Sequence, residues 1–220
     1  MTTIQHHPDD EWLLAPAAGR LDSGAALVVG AHVEGCARCR ARVAAFESVG
    51  GALLETLEPA LLAPEALAHT LARIDDVPTS RTAPARPPPP KPPLPPGITW
   101  PRVMDDCRVT RWRWLGPGMY WSRATLPHDS AANVFLLRIG AGKCLPRHTH
   151  SEVELTQVLC GAFDDGRATF SQGDFDAADG SIRHQPVVRA GAECICLASV
   201  RGKVLFDGVI ARLFGAMVGM

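Results

Sequence analysis

The sequence predicts a two-domain α + β chain: a small all-α bundle stapled by zinc at the N-terminus and an all-β sandwich or barrel at the C-terminus. Three observations carry this reading. Apolar residues recur at helical spacing as far as residue 77, and after Trp100 they alternate in short period-two runs broken by glycine and proline. Between them, residues 78–97 hold Pro78, Pro84, Pro87, Pro88, Pro89, Pro90, Pro92, Pro93, Pro95 and Pro96, ten of the chain's 19 prolines. The expected units are residues 1–77, a proline-rich linker over 78–97, and 98–220.

The first helix begins after Pro8, where Asp9, Asp10 and Glu11 favour a first turn through the helix dipole and Trp12, Leu13 and Leu14 open an apolar face. Pro16 and Gly19 keep it short. Ser23 is a candidate cap for a second helix carrying Ala25, Leu27, Val28, Val29 and Ala31, and a third should run from about Ala37 to the Gly50-Gly51 pair. Pro64-Glu65 opens a fourth, with Leu67, Leu71 and Ile74 on one stripe. That stripe suits packing on its own bundle and docking on a partner equally well.

Between the second and third helices stands His32-x3-Cys36-x2-Cys39. If Gly35 breaks the helix, one imidazole and two thiolates converge on a single ion from both sides of the turn, and a closed tetrahedral zinc site needs one more ligand. His6 and His7 are the other histidines among the first sixty residues, and both fit sterically. A plain buried Cys-x2-Cys pair is the structural alternative, while a redox pair lacks its usual βαβ surroundings. Domains below about 70–80 residues generally need a staple, so the metal and the domain size support each other. The pattern His-x(24 or 25)-His-x3-Cys-x2-Cys over about residues 4–76 resembles the zinc-binding anti-sigma family. That resemblance implies three bundled helices and a fourth that clasps a sigma factor, with His7, the second of the histidine pair, as the first zinc ligand beside His32, Cys36 and Cys39.

No helix or interior strand survives the proline density of the linker, so it should be an extended spacer of roughly 3.1 Å per residue that leaves the two modules little shared core. The whole chain has 220 residues, 46% of them hydrophobic, and a net charge of -1 from 22 basic and 23 acidic residues. Neither nucleic acid nor an anionic membrane would draw on such a balance. Seven scattered cysteines, a first segment without a basic and apolar leader, and no apolar run near the ~18 residues of a membrane span point to a cytoplasmic protein.

In the C-terminal part, strands are expected over 110–115, 133–139, 154–159, 168–170, 194–200 and 203–206, as an antiparallel sandwich or barrel. The last residues, 208–220, are apolar and suit a closing strand or a short helix. His148, His150 and Glu154 share one parity, so on a strand they would line one face, with Glu152 as a competitor and His184 reaching in from another strand. Cys194 and Cys196 also share a parity and read as small core residues, with a redox role as the alternative. Gly-x5-His-x-His-x3-Glu-x6-Gly from Gly142 to Gly161 resembles the first motif of the cupin superfamily, which selects Glu154 over Glu152. Gly173 and His184 stand at the spacing of the second cupin motif, where Asp179, Ser181 and Val188 replace its usual proline, glycine and asparagine.

A zinc anti-sigma domain followed by a cupin resembles the ChrR family of transcriptional regulators. The resemblance implies that the helical domain sequesters an extracytoplasmic-function sigma factor and that the cupin domain governs its release under oxidative stress such as singlet oxygen. Zinc is the expected ion at the first site, and zinc or another divalent metal at the second, through His148, His150, Glu154 and His184. The competing class is a metal-dependent cupin enzyme of dioxygenase or isomerase type. No acid-base or nucleophile cluster stands beside the metal ligands to favour it.

Overall fold

The structure, a computed structural model, describes residues 3–75 and 90–207. Residues 78–89 of the spacer expected over 78–97, and the closing element expected over 208–220, lie outside those residues. Four helices come first: α1 (Asp10–Ala17), α2 (Ser23–Gly35), α3 (Ala37–Glu55) and α4 (Ala66–Asp75). Three local expectations need correction. Asp22, not Ser23, caps α2, because its Oδ1 accepts the Ala25 N–H at 2.9 Å and satisfies one of the free donors of the first turn. The break after α2 is made by Cys36 rather than by a left-handed Gly35: Cys36 is extended (φ -114°, ψ 107°), ends α2, and caps α3 with its sulfur 3.5 Å from the Cys39 N–H. Finally, α3 runs through Gly50-Gly51 to Glu55. A glycine costs a helix only about 1 kcal/mol relative to alanine, and Ala52, Leu53, Leu54 and Glu55 beyond the pair are strong helix formers.

The rest is an antiparallel β-domain. One sheet has the order β1-β3-β4-β11-β6-β9, with β2 paired to β3, built from β1 (Arg108–Val109), β2 (Arg113–Gly116), β3 (Met119–Thr125), β4 (Val134–Ile139), β6 (Val153–Cys160), β9 (Phe175–Asp179) and β11 (Cys194–Val200). Two smaller ladders complete it: β10 (Val187–Val188), β7 (Ala162–Asp164) and β8 (Thr169–Ser171) in one, and β12 (Val204–Phe206) with β5 (His148–His150) in the other. Both faces of the large sheet are buried. Phe135, Leu137, Val158 and Ala198 point into the barrel, where they pack with Phe163, Phe170 and Phe206. Their neighbours of opposite parity, Leu136, Leu155, Leu159, Ile195 and Leu197, pack in one cluster with Leu13, Val28 and Val29 of the helices.

That cluster overturns the expectation of two modules with little shared core. The helical layer lies on the outer face of the sheet, and α2 approaches so closely that a Cβ on Gly24 would collide with Ser199 Oγ of β11. Glu34 fastens the end of α2 by accepting the backbone N–H groups of Arg102 (3.0 Å) and Val103 (3.3 Å). Even the end of the proline-rich segment is docked, with Pro92 buried and Leu94 against the same core.

Candidate metal centres

The chain brings His7, His32, Cys36 and Cys39 together, with one ligand atom from each within 4.8 Å of all the others, a group that could hold a metal ion. The last turn of α2 places His32 and the first turn of α3 places Cys39, with Cys36 at the kink between them. His7 reaches in from the segment before α1, its Nδ1 3.5 Å from Cys36 Sγ and 3.3 Å from Cys39 Sγ. Nitrogen and sulfur ligands around a tetrahedral zinc stand roughly 3.6 Å apart, given bonds of about 2.0–2.1 and 2.3 Å. The observed spacing therefore suits that ion. His32 supplies an independent indication, since its Nε2 is buried without a hydrogen-bond partner among the described residues while its Nδ1 is engaged by Gln157. Burial holds the His32 pKa down at about 4 despite the Gln157 contact, so the ring stays neutral, as a ligand must. Burial pushes the Cys39 thiol up to about 12, with Cys36 adding to the effect, so the Cys39 thiolate forms only with a compensating cation.

The His32 shift has a consequence for stability. An imidazole whose folded pKa is depressed binds fewer protons in the native than in the unfolded chain, so its contribution is complete above its ordinary value of 6.5 and is lost as pH falls toward 4. His7 and His150 are shifted in the same direction, and His148 in the opposite one. Metal-free protein is therefore expected to lose on the order of 3 kcal/mol through His32 alone between pH 7 and pH 4. Urea midpoints across that range, compared with His32→Leu, measure it. A variant with the same pH slope as the wild type would contradict the assignment.

The second group is inside the barrel. His148, His150, Glu154 and His184 also place one ligand atom each within 4.8 Å of one another. They do not share one strand, as parity suggested. The chain turns at residues 151–152, so His148 and His150 belong to β5 and Glu154 to β6, while His184 lies in an isolated bridge to His148. Three Nε2 atoms converge: His184 stands 3.1 Å from His148 and 3.3 Å from His150, and Glu154 Oε2 is 3.1 Å from His150 Nε2. Tetrahedral nitrogen ligands of zinc are roughly 3.3 Å apart. Outer partners fix two of the rings, with His148 Nδ1 2.8 Å from the Pro146 carbonyl and His184 Nδ1 3.3 Å from Asp165 Oδ2. Burial opposes charge on Glu154, yet the imidazoles around it, with His148 Nε2 3.9 Å and His150 Nε2 3.1 Å from Oε2, hold its pKa below the ordinary carboxylate value.

Residues without a recognisable motif complete both sites. Arg167 bridges Asp165 and Asp176, each at 2.7 Å, and those carboxylates with His184 form a third group of metal-ligating types. The guanidinium already supplies their counter-charge. Beside the histidines is a cavity of about 40 Å³ lined by Leu137, Leu145, Cys194 and Cys196, whose sulfurs lie 3.6 Å apart as free thiols. On the helical side, Asp174 Oδ1 accepts the backbone N–H groups of Gln5 (2.6 Å) and His6 (3.0 Å), and so anchors the segment that presents His7.

Comparison with known proteins places these features in context. Residues 101–203 match the family model described as ChrR Cupin-like domain. The chain is 40% identical over 211 residues, 96% of each sequence, to the anti-sigma-E factor ChrR of Cereibacter sphaeroides. It is also similar to the crystal structure of Rhodobacter sphaeroides SigE in complex with the anti-sigma ChrR, at 35% identity and a TM-score of 0.69, covering 90% of this chain and all of that one.

Proposed function

The chain belongs to the ChrR family of anti-sigma factors, and on that basis we propose that it sequesters an extracytoplasmic-function sigma factor through its helical layer. One observation of this chain supports the reading above others. From the second half of α3 through α4, Val49, Leu53, Leu54, Leu57, Leu61, Leu62, Leu67, Leu71 and Ile74 are all more than half exposed. So long an uncovered apolar run marks a surface that a partner covers, and Leu67, Leu71 and Ile74 have the spacing of an amphipathic helix laid in a groove. Zinc held by His7, His32, Cys36 and Cys39 shapes the turn from which α3 projects. Zinc or another divalent ion at His148, His150, Glu154 and His184 serves as the element that governs release of the sigma factor under oxidative stress such as singlet oxygen. The protein acts in the cytoplasm. Among the described residues no helix is long and apolar enough to cross a membrane.

A non-catalytic role suits the barrel interior. A cavity of about 40 Å³ has room for two or three waters, whereas pockets for organic substrates usually run to ~300 Å³ or more. Co-expression with a sigma factor from the same genome tests the sequestration. The wild type should copurify with it, and Leu53→Asp combined with Leu71→Asp should reduce binding at least 100-fold with zinc content unchanged. Undiminished binding by that variant would move the interface elsewhere. For release, a transcription reporter should remain silent under singlet oxygen in His148→Ala and His184→Ala strains, and normal induction in both would exclude the cupin cluster as the trigger.

A further inference from the structure

We propose that Gln157, a residue of the β-domain, is a positioning residue of the helical metal site: its side-chain oxygen accepts the His32 Nδ1–H and thereby aims Nε2 at the ion. The inference rests on the zinc reading of that site. His32 and Gln157 are 125 positions apart in sequence, yet Nδ1 and Oε1 meet at 3.0 Å and the two residues are 1% and 4% exposed. The amide is itself held in one sense, because its nitrogen donates to the Val158 carbonyl at 3.2 Å and leaves the oxygen for the imidazole. An imidazole has one proton to place when neutral. With Nδ1 donating to Gln157, Nε2 carries the lone pair; this atom is buried without a hydrogen-bond partner among the described residues, on a ring that offers one nitrogen within 4.8 Å of ligand atoms of His7, Cys36 and Cys39. Phe175 of β9, its ring centroid 5.8 Å from that of His32, walls the ring from the same side. Gln157 is thus to His32 what Asp165 is to His184, a partner supplied by a distant part of the chain that fixes both tautomer and direction.

Losing such an outer partner typically weakens a metal site about 10–100-fold. The test uses the full-length chain loaded with cobalt(II), whose thiolate charge-transfer band reports only the site with cysteine ligands, followed by competition with zinc. Gln157→Met keeps the bulk and removes the acceptor, and its zinc dissociation constant should rise 10–100-fold. Gln157→Glu keeps an acceptor oxygen and should stay within a few-fold of the wild type. The nitrogen resonances of His32 in the zinc-loaded wild type should show a protonated Nδ1 and a metal-bound Nε2, a readout that needs no variant to fold. Wild-type affinity in Gln157→Met, equal weakening in both variants, or a metal-bound Nδ1 would each overturn the proposal. A wild-type chain without the thiolate band would instead sink the zinc reading itself.

Discussion

Changing Cys39 to alanine is expected to strip zinc from the helical site and abolish capture of the sigma factor. Cys39 is 2% exposed in the first turn of α3, and its sulfur lies 3.3 Å from His7 Nδ1, so no other described group can replace it without unwinding the helix start. A structural zinc site of this type contributes about 10–16 kcal/mol of apparent binding free energy, all of which acts on the folded state. With one thiolate gone the loss should far exceed the 10–100-fold expected for an outer partner. It also leaves His32 Nε2 buried with nothing to satisfy it, at about 1–3 kcal/mol. The measurement is zinc per chain after dialysis against a chelator, together with copurification of the sigma factor. The barrel group shares no ligand with this site, so its metal should persist. Undiminished capture by a zinc-depleted Cys39→Ala protein would separate the metal from the clamp.

Arg167→Met should be the most damaging single change within the β-domain. The side chain of Asp165 is completely buried and that of Asp176 nearly so, and Arg167 is the cation that both face. Burial alone would raise the pKa of Asp165, yet His184, Arg167 and backbone N–H groups hold it far below the ordinary carboxylate value. A carboxyl with a depressed folded pKa contributes stability that is fully present above its unfolded value, near 3.8, and is lost as pH falls through the folded one. At neutral pH the substitution strands two buried carboxylates, a cost of about 3–5 kcal/mol, which for a chain of this size lowers Tm on the order of 10 °C. The difference between variant and wild type should shrink in acid, where protonated carboxyls need no counter-charge. Calorimetry at pH 7 and at about pH 3, below the unfolded carboxyl value, checks both size and sign, and a constant difference would mean that Arg167 acts by packing alone.

Much of this molecule was legible in sequence because its ligands are local or follow a strict period. His32, Cys36 and Cys39 span eight positions around one helix break, and His148, His150 and Glu154 fall within seven. The parity argument named residues that the fold does bring together, although the chain turns between β5 and β6, because the turn returns Glu154 to the same interior. Gln157, Asp165, Arg167 and Asp174 carried no such signal, since a single polar residue on a strand looks the same whether it meets solvent or a ligand 125 positions away. The docked helical layer did leave a trace. Val134, Phe135, Leu136 and Leu137 are consecutive and all buried, as is most of β11, whereas a sheet with one wet face would alternate. Those unbroken apolar runs mark strands covered on both sides.

Strand β6 carries Glu154 on its barrel face and Gln157, three positions on, on the face beneath α2. Only two residues of backbone separate a side chain in one group from a side chain on the other. If an ion in the barrel favours one seating of β6, and zinc on the helical side favours the same seating, each binding event strengthens the other by an identical factor. Reciprocity then makes either site a gauge of its neighbour: titrating cobalt at the thiolates, with and without the barrel ion, would read out the state of a cluster that has no chromophore of its own.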